Sequence, residues 1–392
     1  MVGLSIAYQL IERNIAKKII IIEKEKKIGL HSSGRNSGVL HAGLYYKPNS
    51  LKAKVSVEGS SRLKEFIKEK GIKLLSCGKV IVAQKLELDS QLDLLAKRGR
   101  ENGAKVELWD EKQLHDFIPE ARSASGRALW SPNTAVVKPI SVLNHLLEDV
   151  QGKGVILIKS AKDWNFSKTS KCLLLGDSSK ISYGHLINCA GLQADRIAHK
   201  FEVGMNFKIM PFKGIYWQLK KDSPIKIKTN LYPVPDLNIP FLGVHFTPSV
   251  DDEPVISIGP TATPALGREN YTGLTGIEPI MALSNFSTLF TQYISNISGF
   301  RKYVHEQSFL AIKPFLLKSA QELIPSIESK HIEISKKVGI RSQLFNTETR
   351  ELVDDFLCLS GLESTHVLNA ISPAFTASFS LADIIIDQVI KK

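Results

Sequence analysis

Residues 19–23 read IIIIE and residues 31–46 read HSSGRNSGVLHAGLYY. An unbroken run of branched aliphatics is the pattern of a parallel strand buried on both faces. An acid at the strand's carboxyl end, here Glu23, is where a dinucleotide's ribose hydroxyls find their acceptor in a βαβ unit. Upstream, LSIAYQLIERN (4–14) has a helical pattern and follows only Met1, Val2 and Gly3. The spacing from Gly3 to Glu23 fits the last glycine of a G-x-G-x-x-G fingerprint and its ribose acid. The fingerprint's first strand and its two earlier glycines are then expected ahead of Met1, outside this sequence.

Downstream, LKAKVSVEGSSRLKEFIKEKG (51–71) places Val55, Leu63, Phe66 and Ile67 at helical spacing and stops at Gly71. GKVIVA (78–83) reads as a strand, Leu86–Glu101 as an amphipathic helix, and Pro139 opens another helix that returns to a strand at VILIK (155–159). HLINCAGLQADRIA (185–198) is a second strand-to-helix junction, with Ala190 and Gly191 as small residues at the turn. Such a turn lets backbone amides approach a cofactor closely, although any strand-to-helix crossover can carry small residues. From about Met205 to Lys336 the texture changes to short alternating or aromatic strands such as IYWQL, PFLGVHF and PVISIG, which predicts an inserted antiparallel sheet. DFLCLSG, THVLNA and SPAFTASFSLADIIIDQVI then return to strand and long helix. The predicted class is α/β, α+β overall, with a discontinuous nucleotide domain (1–80, 140–204 and 337–392) and a substrate domain (81–139 and 205–336).

At 392 residues the chain exceeds the length at which single cores usually split, and 43% hydrophobic with 23% charged residues is ordinary for a globular enzyme. The net charge of +12 arises from scattered lysines rather than one basic run, which argues against nucleic acid as a partner. It is compatible with an acidic substrate or an anionic membrane surface. Four separated cysteines form no C-x-x-C, so neither a metal centre nor a disulfide framework is expected. No apolar run reaches the roughly 18 to 20 residues that span a bilayer. These features point to a cytoplasmic protein with room for peripheral contact on the membrane's inner face.

GRNSGVLHAG (34–43) sets three glycines around Arg35, Asn36, Ser37 and His41. Glycines let main chain lie flat against a planar ligand while polar neighbours supply donors; a surface loop would have a similar composition. His41 can take a proton from a substrate hydroxyl, or simply be hydrogen bonded. Ser372 and Pro373 read as N-cap and first-turn residues of a helix reaching about Val389, whose positive end suits negative charge on a reduced flavin ring.

Glu23, HSSGRNSGVLHAGLYY, NCAGLQAD (188–195), GVHFT (243–247), DDF (354–356) and NAISPAFTAS (369–378) together resemble the L-2-hydroxyglutarate oxidase/dehydrogenase family of FAD enzymes, within the wider D-amino-acid-oxidase-like superfamily. The resemblance runs in order along almost the whole chain. It implies a glutathione-reductase-like, Rossmann-type FAD domain carrying a mixed-sheet substrate domain, and oxidation of L-2-hydroxyglutarate to 2-oxoglutarate. It implies that Gly3 belongs to the pyrophosphate loop, that Glu23 holds the adenosine ribose, that residues 35–43 (Gly38 among them) pass beside the isoalloxazine, and that Gly191 abuts the ADP half. Asn369 to Pro373 would line the ring's pyrimidine edge.

A dicarboxylate substrate needs donors for two carboxylates, preferably cationic ones. The candidates are Lys213, His245, Arg268 and Arg341, with Thr247 and Tyr216 as neutral donors. The family tends to carry an arginine where Lys213 stands and an acid where Ile215 stands, which bears on substrate identity. Oxygen and a quinone are both candidate electron acceptors. The competing readings are an amine or amino-acid oxidase of the same superfamily, and a non-catalytic chain that cannot hold FAD without its first strand.

Overall fold

The aliphatic run forms a strand, Ile20–Ile22, in the computed structural model, which describes residues 1–167, 171–235, 242–251, 253–296 and 299–390. It pairs in parallel with Ile156–Ile158 in the register Ile20↔Ile156 to Ile22↔Ile158. Two helices cover this pair, Val2–Glu12 and Pro139–Gly152, and one apolar cluster joins them through Leu4, Ala7, Val142, Leu143, Leu146 and Ile21. A second parallel pair aligns Leu186–Asn188 with Ser364–Asn369, and Leu357–Gly361 closes it antiparallel. Ser364–Asn369 is buried along its whole length, as a strand covered on both faces must be. The last helix, Ser378–Ile390, packs Leu381, Ile385 and Ile386 against Ile6 of the first helix and Val55 of the Leu51–Glu69 helix.

The second layer is a ten-stranded mixed sheet. From one edge its order is Glu351–Leu352, Ile332–Asn346, Phe207–Leu219, Ile256–Gly259, His245–Pro248, Asn230–Pro233, Lys79–Val82, Ala128–Ser131 and Glu107–Trp109, with Thr263–Pro264 also on Phe207–Leu219. Its longest ladder runs from Phe207↔Asn346 to Leu219↔Ile332, with an irregularity between Ile215 and Trp217. Every pairing is antiparallel except Asn230–Pro233 with Lys79–Val82. The inserted antiparallel/mixed sheet expected from the sequence is present. The strand Ile332–Asn346 crosses the 336/337 division continuously.

Three expectations are corrected. The last helix begins at Ser378 rather than at Ser372: residues 372–377 form turns, the Ser372–Pro373 peptide is cis, and Ala377 N donates to Pro373 O at 2.9 Å. Ser372 and Pro373 are therefore not its N-cap and first turn. The insertion also holds three helices, Pro279–Ser295, Phe300–Gln307 and Lys313–Gln321, where strands alone were expected. Within PFLGVHF only His245 and Phe246 enter a strand, and Pro240 and Phe241 lie outside the described residues, as do the last two residues of the 337–392 segment.

Candidate active site

The carboxyl ends of the two parallel pairs carry Glu23, Cys189–Ala190–Gly191 and Asn369–Ala370. In doubly wound sheets this edge is where a nucleotide crevice forms. Glu23 is half-buried and accepts a hydrogen bond from Glu25 N at 2.9 Å. Gly191 has φ +54 and open space where a side chain would stand, so backbone is presented bare after Asn188. Gly3 faces this turn: a Cβ there would stand 3.4 Å from Cys189 Cβ.

The polar residues of the 29–38 loop mostly build the loop itself. Asn36 Nδ2 donates to Ser33 O (2.7 Å) and Ser32 O (3.2 Å), and Asn36 Oδ1 accepts from Gly38 N at 2.9 Å. Ser37 Oγ accepts from Val39 N at 3.3 Å. Arg35 donates to Leu30 O and Val338 O and lies 4.3 Å over the Tyr271 ring, tying the loop to the large sheet. Gly38 has φ +78, and a Cβ there would stand 2.1 Å from Val137 O. Beside this loop, Glu25, His31 and Glu269 bring three potential metal-ligand atoms within 4.8 Å of one another. The Lys24 ammonium already pairs with Glu25 at 2.5 Å and Glu269 at 2.7 Å, so a cation of the protein's own occupies that charge.

The loop leads into the short strand Val39–Leu40 and then to His41, which is buried. Thr376 Oγ1 holds its backbone N–H at 3.2 Å, its Nε2 is 3.5 Å from Ser372 Oγ, and its Nδ1 has no partner. Burial, then the charges of Lys79 and His245, push its pKa well below the usual histidine value, so the ring is neutral. His245 is neutral too: burial first, with Lys79 and Lys337, lowers it to about 3 against the opposing bond to Gly243 O, where Nδ1 sits at 2.7 Å. Its ring stacks on Tyr232 with centroids 3.9 Å apart. His245 therefore offers no cationic donor, contrary to expectation, because the low-dielectric interior penalises its charged form.

The positive charge comes from elsewhere. Lys79 opens a central strand of the large sheet, is fully buried, and its Nζ has no hydrogen-bond partner. It lies 4.1 Å over the Tyr232 ring and 5.0 Å over the Tyr45 ring. Burial lowers its pKa to about 7. Lys337 lies 4.9 Å over the buried Tyr216 ring, with its pKa lowered to about 8 by burial. Thr247 is buried, its hydroxyl beside that of Tyr232. Arg341 acts electrostatically on Tyr46 and Lys52, so it lies near the 354–355 turn.

Two candidates are engaged differently. Arg268 is buried and makes a two-pronged ion pair with Asp195 (2.5 and 2.9 Å), with a further bond to Leu192 O. That fork is consumed in bracing the Gly191 turn against the 265–270 segment, which corrects its assignment to substrate. Lys213 donates to Asn270 Oδ1 at 3.2 Å and is shifted down by burial. Asn369 donates through Nδ2 to Val353 O and Asp355 O, leaving its buried Oδ1 unpartnered. Lys79, Lys337, Tyr45 and Tyr232 were not singled out by sequence; the signal for Lys79 was a lysine entering a fully aliphatic strand, VIV.

The nucleotide-type edge agrees with comparisons to known proteins. A family model described as FAD dependent oxidoreductase matches residues 1–388. The chain belongs to that family and is an FAD-dependent oxidoreductase. The L-2-hydroxyglutarate dehydrogenase of Caenorhabditis briggsae is 37% identical, covering 100% of this chain and 92% of that protein. Its namesakes from Indibacter alkaliphilus and Homo sapiens are each 33% identical, covering 97% and 86% of their own lengths. Among solved structures, the FAD-bound L-alpha-glycerophosphate oxidase of Mycoplasma pneumoniae superposes with a TM-score of 0.75 at 18% identity, covering 100% of this chain and 92% of its own, a likeness of fold. The residues present fit FAD: an acid and a bare-backbone turn at the carboxyl edge of the parallel strands, and buried polar atoms of His41 and Asn369 that have no hydrogen-bond partner among the described residues.

Proposed function

We propose that this protein oxidises L-2-hydroxyglutarate to 2-oxoglutarate, using FAD. The observation that carries the reading is whole-length similarity to proteins named for that substrate, 37% identical over 421 aligned residues. FAD, when bound, supplies the two-electron acceptor for the hydride leaving the hydroxyl-bearing carbon. In this reading Glu23 and the Gly3 and Gly191 turns hold the adenosine half, while Arg35, Asn36, Ser37, Gly38, Asn369, Ser372 and Pro373 shape the ring's surroundings. The neutral His41 receives the hydroxyl proton on its unpartnered Nδ1, with Ser372 beside Nε2 fixing the ring. Lys79, Lys337 and Arg341 balance the two carboxylates; Thr247 and Tyr216 donate neutral hydrogen bonds, His245 holds Tyr232 in place, and Lys213 stands at the rim.

The proposed division of labour follows the discontinuous domains 1–80, 140–204 and 337–392 for the cofactor and 81–139 and 205–336 for the substrate, with the 336/337 strand shared. Anaerobic mixing of the flavin-loaded protein with L-2-hydroxyglutarate tests it: bleaching of the flavin band is expected. Bleaching by an amino acid and not by the hydroxy acid would transfer the assignment to an amino-acid oxidase. A protein that stays colourless with added FAD would fail the reading altogether.

A further inference from the structure

From Pro279 to Phe300 the chain has twenty-two residues without a single Asp, Glu, Lys or Arg, followed at once by Arg301 and Lys302. Most of this stretch is the Pro279–Ser295 helix, whose amphipathicity is inverted. The side it buries carries Ala282, Asn285 and Gln292. The side it shows to solvent carries Ile280 (88% exposed), Leu283 (74%), Phe290 (66%), Ile294 (56%) and Phe286 (46%). At about 100° per residue these five fall within an arc of roughly 120°, on the side away from the buried three. An ordinary surface helix turns such a stripe inward.

The helix cannot rotate to hide the stripe. Gln292 Nε2 donates to Arg350 O at 2.8 Å, Lys208 Nζ donates to Thr288 Oγ1 at 2.7 Å, and Leu289 packs against Met210, Phe212 and Phe345. At its carboxyl end Arg301 donates to Tyr293 O at 2.7 Å and to Ile294 O, which sets an exposed guanidinium beside the end of the stripe with Lys302 next to it. Leu274, 84% exposed, lies in the loop just before.

We propose that the Pro279–Ser295 helix lies in the plane of an anionic lipid surface, its apolar stripe in the acyl boundary and Arg301 and Lys302 at the headgroups. This goes beyond the reaction assigned above and does not depend on it. Charge selects the occupant. A second copy of this chain would bring +12 against +12 and arginine against arginine, whereas a surface of negative headgroups complements both the net charge and the basic end of the helix. A ridge of projecting side chains with Ser284, Ser287 and Thr291 along one edge and half-buried Tyr293 along the other also matches an interfacial helix, which needs no shaped receptor.

The test is flotation of the flavin-loaded full chain with phosphatidylcholine vesicles, with and without phosphatidylglycerol. The expected result is flotation that rises with phosphatidylglycerol and falls with salt. Leu283→Glu/Phe290→Glu is expected to lose roughly ten-fold or more of that partition, since two apolar groups leave the boundary. Both positions face solvent, so melting temperature and flavin content are expected to stay unchanged; Ile280→Ser/Ile294→Ser is a second, milder pair for the same reading. Lys302→Glu is expected to reduce only the increment due to phosphatidylglycerol. The proposal is overturned if the wild-type chain stays unbound with both vesicles, or if both double variants float as it does. It is overturned equally if light scattering shows a dimer that Leu283→Glu/Phe290→Glu dissolves, which would assign the stripe to a second copy.

Discussion

Replacing Lys79 by methionine is expected to make the protein more stable and a poorer enzyme. In the unfolded chain the lysine titrates near its ordinary value of 10.5, while burial holds it at about 7 in the fold. A gap of about 3.5 in pKa corresponds to roughly 5 kcal/mol of cost for keeping the ammonium inside. Below pH 7 the side chain is protonated in both states and the folded protein bears that cost in full. Between about pH 7 and 10.5 the unfolded chain holds a proton that the folded one does not, so stability rises with pH across this window. The Tyr232 and Tyr45 faces return up to about 2 kcal/mol of attraction. Methionine is close in length and apolar, so Lys79→Met is expected to gain about 3 kcal/mol near neutrality and to abolish the Lys79 contribution to the rise. The lost cation is expected to lower kcat/KM for L-2-hydroxyglutarate by about 10- to 100-fold, mainly through KM. Urea denaturation at about pH 6.5 and about pH 9.5 measures the first pair of effects. A variant less stable than wild type at the lower pH, or one with the same pH slope, would refute the reasoning.

His41→Ala is expected to lower kcat by about 10²- to 10⁴-fold while the bound flavin spectrum stays unchanged, and an undiminished kcat would remove His41 as the base. Arg268→Ala strips the partner from buried Asp195 and is expected to cost about 3–5 kcal/mol in chemical denaturation; the double variant Arg268→Met/Asp195→Leu should recover most of it, and failure to do so would show that the pair does more than neutralise itself. Gly38→Ala drives a Cβ to within 2.1 Å of Val137 O, in a backbone conformation that disfavours side chains. Its flavin-to-protein ratio should fall well below that of wild type, and full loading would detach the loop's shape from cofactor binding.

The two layers were legible because their signals are local. IIIIE and VILIK are continuous aliphatic runs and pair in parallel, although neither is fully covered; THVLNA mixes Thr, His and Asn with its apolar residues, is buried throughout its strand, and pairs in parallel with Leu186–Asn188 on one side. The helices of 279–321 were not legible for an equally physical reason. Ile280, Leu283, Phe286, Phe290 and Ile294 do keep helical spacing, but the proline-broken, aromatic strand texture before them makes the whole 205–336 stretch read as sheet. Ser372–Pro373 misled because Ser-Pro is as good a turn as a helix start, and what distinguishes them is the packing of residues 374–377 under His41.

The proposed substrate site was least legible, and the charges explain why. A cationic side chain can be nominated from sequence, but whether it is available depends on what lies opposite. Arg268 meets Asp195 from seventy-three positions away and is neutralised; Lys79 meets two tyrosine faces and, among the described residues, no hydrogen-bond partner. The interior thus sorts its cations by partner. Arg268, with an acid opposite, braces a turn, and Lys79, held over tyrosine faces, is the cation that in the proposed reading meets an incoming anion. Burial first, and the same field after it, keep His41 and His245 neutral, so the groups that would draw in a dicarboxylate also favour the imidazole form that can accept its proton.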